Sequence, residues 1–105
     1  MNEAQFNDLV DDTLFAIEEA ADDSDMDIDS EMSGGVLTLT FDNGSALIFS
    51  RQSALQELWL AARSGGYHFH REDSQWLCTR SAETLAEIIA TCSAEQGGKA
   101  LELED

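Results

Sequence analysis

Between Glu18 and Glu31 the hydrophobic period of the chain changes from that of a helix to that of a strand. Before the switch, Phe6, Leu9, Val10, Thr13, Ile17 and Ala20 or Ala21 recur at three- and four-residue spacing, which predicts an amphipathic helix over 3–22. After it, Asp25, Asp27, Asp29 and Glu31 alternate with Met26, Ile28 and Met32. A period of two puts the two sets on opposite faces of a strand over 25–32. Eight of the fourteen residues from Glu18 to Glu31 are carboxylates and none is basic. The expectation is a helix end and a following strand that present one continuous acidic wall.

Strand signals dominate the chain from there to residue 79. Ser33-Gly34-Gly35 reads as a turn and 36–41 as a strand with Leu37, Leu39 and Phe41 on one face. Asn43-Gly44 predicts a type I′ hairpin turn, which places Leu39 opposite Ile48 and Phe41 opposite Ala46 on a return strand over 45–51. Residues 55–61 suit helix or strand by composition. As a strand they turn Leu58 and Leu60 inward and Glu57, Trp59 and Ala61 outward, leaving an indole exposed or packed over its neighbours. Gly65-Gly66 reads as a turn, and 67–70 and 75–79 as two short strands. Ser81 is the expected N-cap of a closing helix with Leu85, Ile88, Ile89 and Cys92 buried, ended by Gly97-Gly98 and followed by an acidic tail with Leu101 and Leu103 free to pack. Helix, about six strands, helix predicts an α+β two-layer sandwich, with the N- and C-terminal helices on one face of an antiparallel sheet in a single domain over 1–105.

Charge narrows the function. The formal net charge is -17, and residues 1–50 hold 13 acids and no base. Such a field repels nucleic acid and anionic membranes and attracts cations and basic protein surfaces, unless it is only a solvated face kept for solubility. The N-terminus is too acidic for a signal peptide, and no apolar run approaches the roughly 20 residues of a spanning helix. Cys78 and Cys92 sit in apolar patterns and read as buried free thiols of a cytoplasmic protein.

The carboxylates themselves are hard ligands, suited to iron, calcium, magnesium or manganese. Glu18 with Asp22, and Glu19 with Asp23, are like-charge pairs one helical turn apart, so a shared cation relieves them. Strand positions two apart lie roughly 6.5–7 Å from one another, too far for one ion to be ligated by the whole row. Weak, overlapping, water-rich sites are therefore expected. An EF-hand reading of Asp25, Asp27 and Asp29 fails, because Ser30 and Val36 stand where that loop needs Gly and Glu. His68 and His70 share a strand face from which imidazoles can ligate a metal, and the favoured reading is that they are surface imidazoles. No nucleophile has a base at a recognisable catalytic spacing, so an enzyme is the last reading.

Gly34-Gly35-Val36-Leu37-Thr38 and Phe41-Asp42-Asn43-Gly44-Ser45 resemble the bacterial frataxin family, the CyaY proteins. The likeness continues through Arg51-Gln52, Leu58-Trp59-Leu60-Ala61, Gly65-Gly66-Tyr67-His68-Phe69, Trp76, Cys78 and Arg80. It begins earlier, at Ile17-Glu18-Glu19 and Asp22-Asp23. Departures from the family pattern are Ser50, Ala54 and Glu57, where Asn, Pro and Gln are usual. The resemblance implies the sandwich derived above. It also implies weak iron binding, as Fe2+ or Fe3+, on the ridge formed by Glu18, Glu19, Asp22, Asp23, Asp25, Asp27, Asp29 and Glu31. Trp59, Gln52 and Arg51 fall at partner-binding positions, and the implied partners are a cysteine desulfurase and an iron–sulfur scaffold protein. A monomer at rest, with iron-driven oligomers, goes with that picture.

Three functions compete: an iron-responsive regulator of cluster assembly that docks through the ridge, an iron chaperone, donor or storage protein, and an acidic mimic that occupies a nucleic-acid-binding protein. The partner discriminates among them.

Overall fold

The computed structural model describes residues 1–103; Glu104 and Asp105, the acidic end of the tail, lie outside the described residues. Helix α1 spans Glu3–Asp23. Asn2 caps it: its side chain accepts from the Gln5 N–H, and Gln5 in turn accepts from the Asn2 N–H, so two backbone donors without helical partners are satisfied. The buried stripe is Phe6, Val10, Leu14, Ile17 and Ala21, with Leu9 and Ala20 at its flank. Leu14 thus takes the central place expected for Leu9 and Thr13. Thr13 bonds back to the Leu9 carbonyl and accepts the indole N–H of Trp76 at 3.0 Å.

Six strands come next: β1 Ile28–Ser33, β2 Val36–Phe41, β3 Ala46–Gln52, β4 Glu57–Ala62, β5 Gly65–Glu72 and β6 Gln75–Cys78. Each pairs antiparallel with the next, so the sheet is a meander with β1 and β6 at its edges. Helix α2 spans Leu85–Gly97. One face of the sheet, carrying Leu37, Leu39, Phe41, Leu47, Phe49, Leu58, Leu60, Phe69, Trp76 and Cys78, packs against both helices in one core. The tail returns to that core through Leu101, which is buried. The other face is open. This is the expected α+β sandwich. No helix among the described residues is long and apolar enough to cross a membrane.

Several boundaries differ from the sequence expectation. The first strand begins at Ile28, not residue 25, because Met26 and Ile28 pack against the core and the Ile28 N–H turns to the Met26 carbonyl. Asp25 and Asp27 therefore precede the strand. The β2–β3 turn is not type I′. Phe41 and Ser45 close three residues, Asp42-Asn43-Gly44, and only Gly44 has positive φ among them. Asn43 is held instead by its side chain, which donates to the Gln96 carbonyl and accepts from the Ser45 N–H. The register consequently shifts: Leu39 faces Leu47 and Thr38 faces Ile48. Leu47 and Phe49 are buried, and Ile48 lies on the open face, 40 % exposed.

Residues 57–62 are strand, as the alternation of Leu58 and Leu60 requires. Gly65 and Gly66 lie within β5, and the turn before it is Arg63-Ser64. Two consecutive positive φ values occur at Asp73-Ser74, which close β5 on β6. Thr84, not Ser81, caps α2, through a reciprocal pair with Glu87 three residues on. Gly98 ends that helix in the left-handed conformation. Both cysteines are buried and free.

Candidate functional site

The ridge acids of α1, Glu18, Glu19, Asp22 and Asp23, occupy its last two turns, where no base offsets the negative end of the helix dipole. Glu19, Asp22 and Asp23 are exposed and Glu18 is half-buried. Phe15 stands among them, 60 % exposed. It falls outside the Phe6–Val10–Leu14–Ile17–Ala21 stripe, so 100° helical spacing could have placed it on the acidic face.

Strand β1 carries the second group. Asp29 pairs with Thr40 and Glu31 with Thr38, so both carboxylates point to the open face of the sheet. Ile28, Ser30 and Met32 point to the helix side. The ridge is therefore not one flat wall. It wraps the β1 edge, with Glu18, Glu19, Asp22 and Asp23 on the helix layer, Asp27 at the approach, and Asp29 and Glu31 on the far side. Among the described residues no three His, Cys, Asp or Glu side chains converge into a metal-holding group.

Asp25 behaves differently from the rest. Both its oxygens accept from Lys99 Nζ, at 2.6 and 2.8 Å. The hydrogen bond and then the charge of Lys99 hold its carboxyl below the usual carboxylate value. This pairing spans 74 residues of sequence and ties the bend after α1 to the tail.

The partner positions also separate. Arg51 pairs with inward-facing Leu58 and reaches under the sheet to α1, where it donates to Asp11 Oδ1 at 2.6 Å and Asn7 Oδ1 at 3.1 Å. It does not share a face with Trp59. Gln52 does, through its pairing with Glu57. Trp59 is half-buried. Its ring stacks on His68 with centroids 4.1 Å apart and planes at 7°. Its Nε1–H donates to Glu57 Oε1 at 2.8 Å, and that same oxygen lies 3.8 Å from His68 Nδ1. So Trp59 is neither free nor packed over Leu47 and Phe49, which face the core. Cross-strand neighbours fix its plane on the open face of the sheet, with His68 stacked on the β5 side and Ser50 paired on the β3 side. His70 lies farther along the same face, opposite Glu57.

Residues 1–99 match the model of the frataxin-like domain. The chain is 55 % identical over 107 aligned residues to the iron-sulfur cluster assembly protein CyaY of Stutzerimonas stutzeri, covering 100 % of this chain and 97 % of that one. It is 51 % identical over 107 residues to the protein of the same name in Ectopseudomonas mendocina, with the same coverage. Among solved structures, frataxin from Psychromonas ingrahamii superposes with a TM-score of 0.92 at 30 % identity over 100 % of both chains. The ferrous complex of trimeric frataxin from the yeast Saccharomyces cerevisiae superposes with a TM-score of 0.68 at 25 % identity, covering 94 % of this chain and 88 % of that one.

Proposed function

The chain belongs to the frataxin-like family, and from that premise we propose that it is an iron-binding regulator of iron–sulfur cluster assembly. It acts by docking its acidic ridge on a cysteine desulfurase, beside the scaffold protein. The observation that carries this reading is the uncompensated charge at the β1 edge. Arg51 and Lys99 answer Asp11 and Asp25, but no ion pair among the described residues involves Glu18, Glu19, Asp22, Asp23, Asp27, Asp29 or Glu31.

That arrangement has two consequences. Hard oxygen donors at one-turn spacing let Glu18 and Asp22, or Glu19 and Asp23, share a ferrous or ferric ion with water completing its shell. With no converging third ligand, such an ion is held loosely and exchanges readily. The same field attracts a basic partner and speeds encounter. Iron on the ridge lowers the charge that the partner meets, so iron level and docking are coupled through one surface. Gln52 and the half-buried Trp59 supply contacts for the scaffold on the open sheet. Arg51 positions α1 against β3, keeping ridge and sheet in fixed relation.

The ferrous complex of the yeast neighbour favours a second reading, an iron carrier. An anaerobic NMR titration with ferrous iron, repeated with purified desulfurase, separates the two. In the regulatory reading both perturb Glu18–Glu31 and compete. Iron perturbing the ridge while the desulfurase binds elsewhere, or not at all, supports the carrier and overturns the regulator.

A further inference from the structure

We infer that the outer edge of β1 receives an added strand: an extended partner segment with Lys or Arg at alternate positions. The inference rests on the ridge being a partner surface, and it specifies how the partner's backbone is held there.

The two edges of the sheet are finished differently. On β6, the Cys78 N–H donates to the Glu83 carbonyl at 2.8 Å and Leu77 bridges to Thr84, so the following loop covers that edge. Nothing among the described residues does this for β1. Its outward groups can be identified from β2. The Phe41 N–H donates to the Ser45 carbonyl and the Phe41 carbonyl accepts from Gly44, so both face β3. Hydrogen-bonded and non-hydrogen-bonded pairs alternate along an antiparallel ladder. Ile28–Phe41, Ser30–Leu39 and Met32–Leu37 are then the non-hydrogen-bonded pairs, and the backbones of Ile28, Ser30 and Met32 face away from β2. The Ile28 N–H is satisfied by Met26 at 3.1 Å. The N–H and carbonyl of Ser30 and of Met32 have no side-chain or loop partner among the described residues.

Side chains select the occupant. A residue directly opposite Asp29 or Glu31 on an added strand has its Cβ about 4.5–5.5 Å away, where opposite charge stabilises and like charge repels. A second copy of β1, paired antiparallel about Ser30, would set Asp29 against Glu31. The edge therefore rejects itself and accepts a strand with bases at those positions. Met32, 44 % exposed on the helix side, offers an apolar platform for the residues in between. Acids on an edge also guard against aggregation, but a guard alone does not require one edge covered and the other left with a row of free donors and acceptors.

The test uses the full chain and a synthetic peptide of about seven residues, alternating Lys with Val or Thr, a typical strand length. A twin methylated on alternate backbone nitrogens has the same charge but cannot pair. With the first peptide, the Ser30 and Met32 amides should exchange about tenfold or more slowly, as newly bonded amides do, while the twin binds more weakly and protects neither. Ser30→Pro removes one outward N–H, leaves every carboxylate in place and keeps the β2 ladder intact. It should lose the peptide and keep the ferrous-iron titration. Equal binding of both peptides without added protection overturns strand addition and leaves the ridge as a surface that docks by charge alone. Failure of both peptides to bind overturns strand addition and counts against the ridge as a partner surface as well.

Discussion

The three-residue β2–β3 turn makes a testable statement about two adjacent residues. Leu47 is fully buried, whereas Ile48 lies on the open face between Thr38 and Ala61. A buried Leu→Ala change costs about 2–5 kcal/mol, the transfer loss plus the cavity left behind. Against a typical total stability of about 5–15 kcal/mol this is a large fraction. At about 4–8 °C per kcal/mol for a domain near this size, Leu47→Ala should lower the thermal midpoint by roughly 8–40 °C. Ile48 keeps 40 % of its surface in the folded state. Full burial of such a side chain is worth about 1.5–3 kcal/mol, so its truncation should cost about 1 kcal/mol, or roughly 5 °C. Thermal melts followed by far-UV circular dichroism, with urea titrations to confirm an unchanged m value, give both numbers. If Ile48→Ala proves the costlier change, the turn closes on two residues, Ile48 belongs to the core, and the open face is wrongly assigned.

Three further outcomes are expected. Moderate salt or millimolar divalent cation should raise the midpoint by a few degrees, because the like-charge pairs Glu18–Asp22 and Glu19–Asp23 each cost a few tenths of a kcal/mol; a midpoint indifferent to both would mean that the ridge is not under repulsion. Gly97→Ala should destabilise by about 1–3 kcal/mol as overpacking does, the reverse of its usual effect in a helix, since the added methyl would lie 2.6 Å from Cδ1 of Phe41; a rise in urea midpoint would refute that contact. Lys99 lowers the folded-state pKa of Asp25 from 3.8, so the pair's stabilisation is present above that value and is lost as pH falls through the lowered one. In Lys99→Met the proton uptake on unfolding in that window should shrink, as measured by the pH dependence of the urea midpoint.

Periodicity was enough for the architecture because strand and helix faces are written in every second or every third and fourth residue. It failed where one side chain settled the geometry from far away. Asn43-Gly44 carries a type I′ signal, yet the Gln96 carbonyl holds the Asn43 side chain across 53 residues of sequence and the turn closes on three residues. Asp25 continues the alternating acids in sequence, but Lys99 removes it from the uncompensated set. Arg51 neighbours Gln52 in the family-like motif, yet strand alternation sends the two to opposite faces, which the motif alone conceals. Other misses were legible. Thr84-x-x-Glu87 is a capping box, whereas Ser81 has Thr84 at the corresponding position. The stacking of His68 on Trp59 is a direct result of pairing β4 with β5.

The strand order has a consequence for how the molecule travels. Acids gather at β1, while Arg71 lies on β5 and Arg80 comes after β6, among acids of their own neighbourhood. Five strand spacings of about 4.8 Å separate the poles of this uneven distribution. The protein is therefore an electric dipole lying across its sheet. In the field of a positively charged body it experiences a torque before it experiences contact, and it turns β1 foremost. Diffusion then delivers the open edge first, and fewer collisions are wasted on the wrong side. Added salt, with a screening length of about 8 Å near physiological strength, shortens the distance over which that turning occurs.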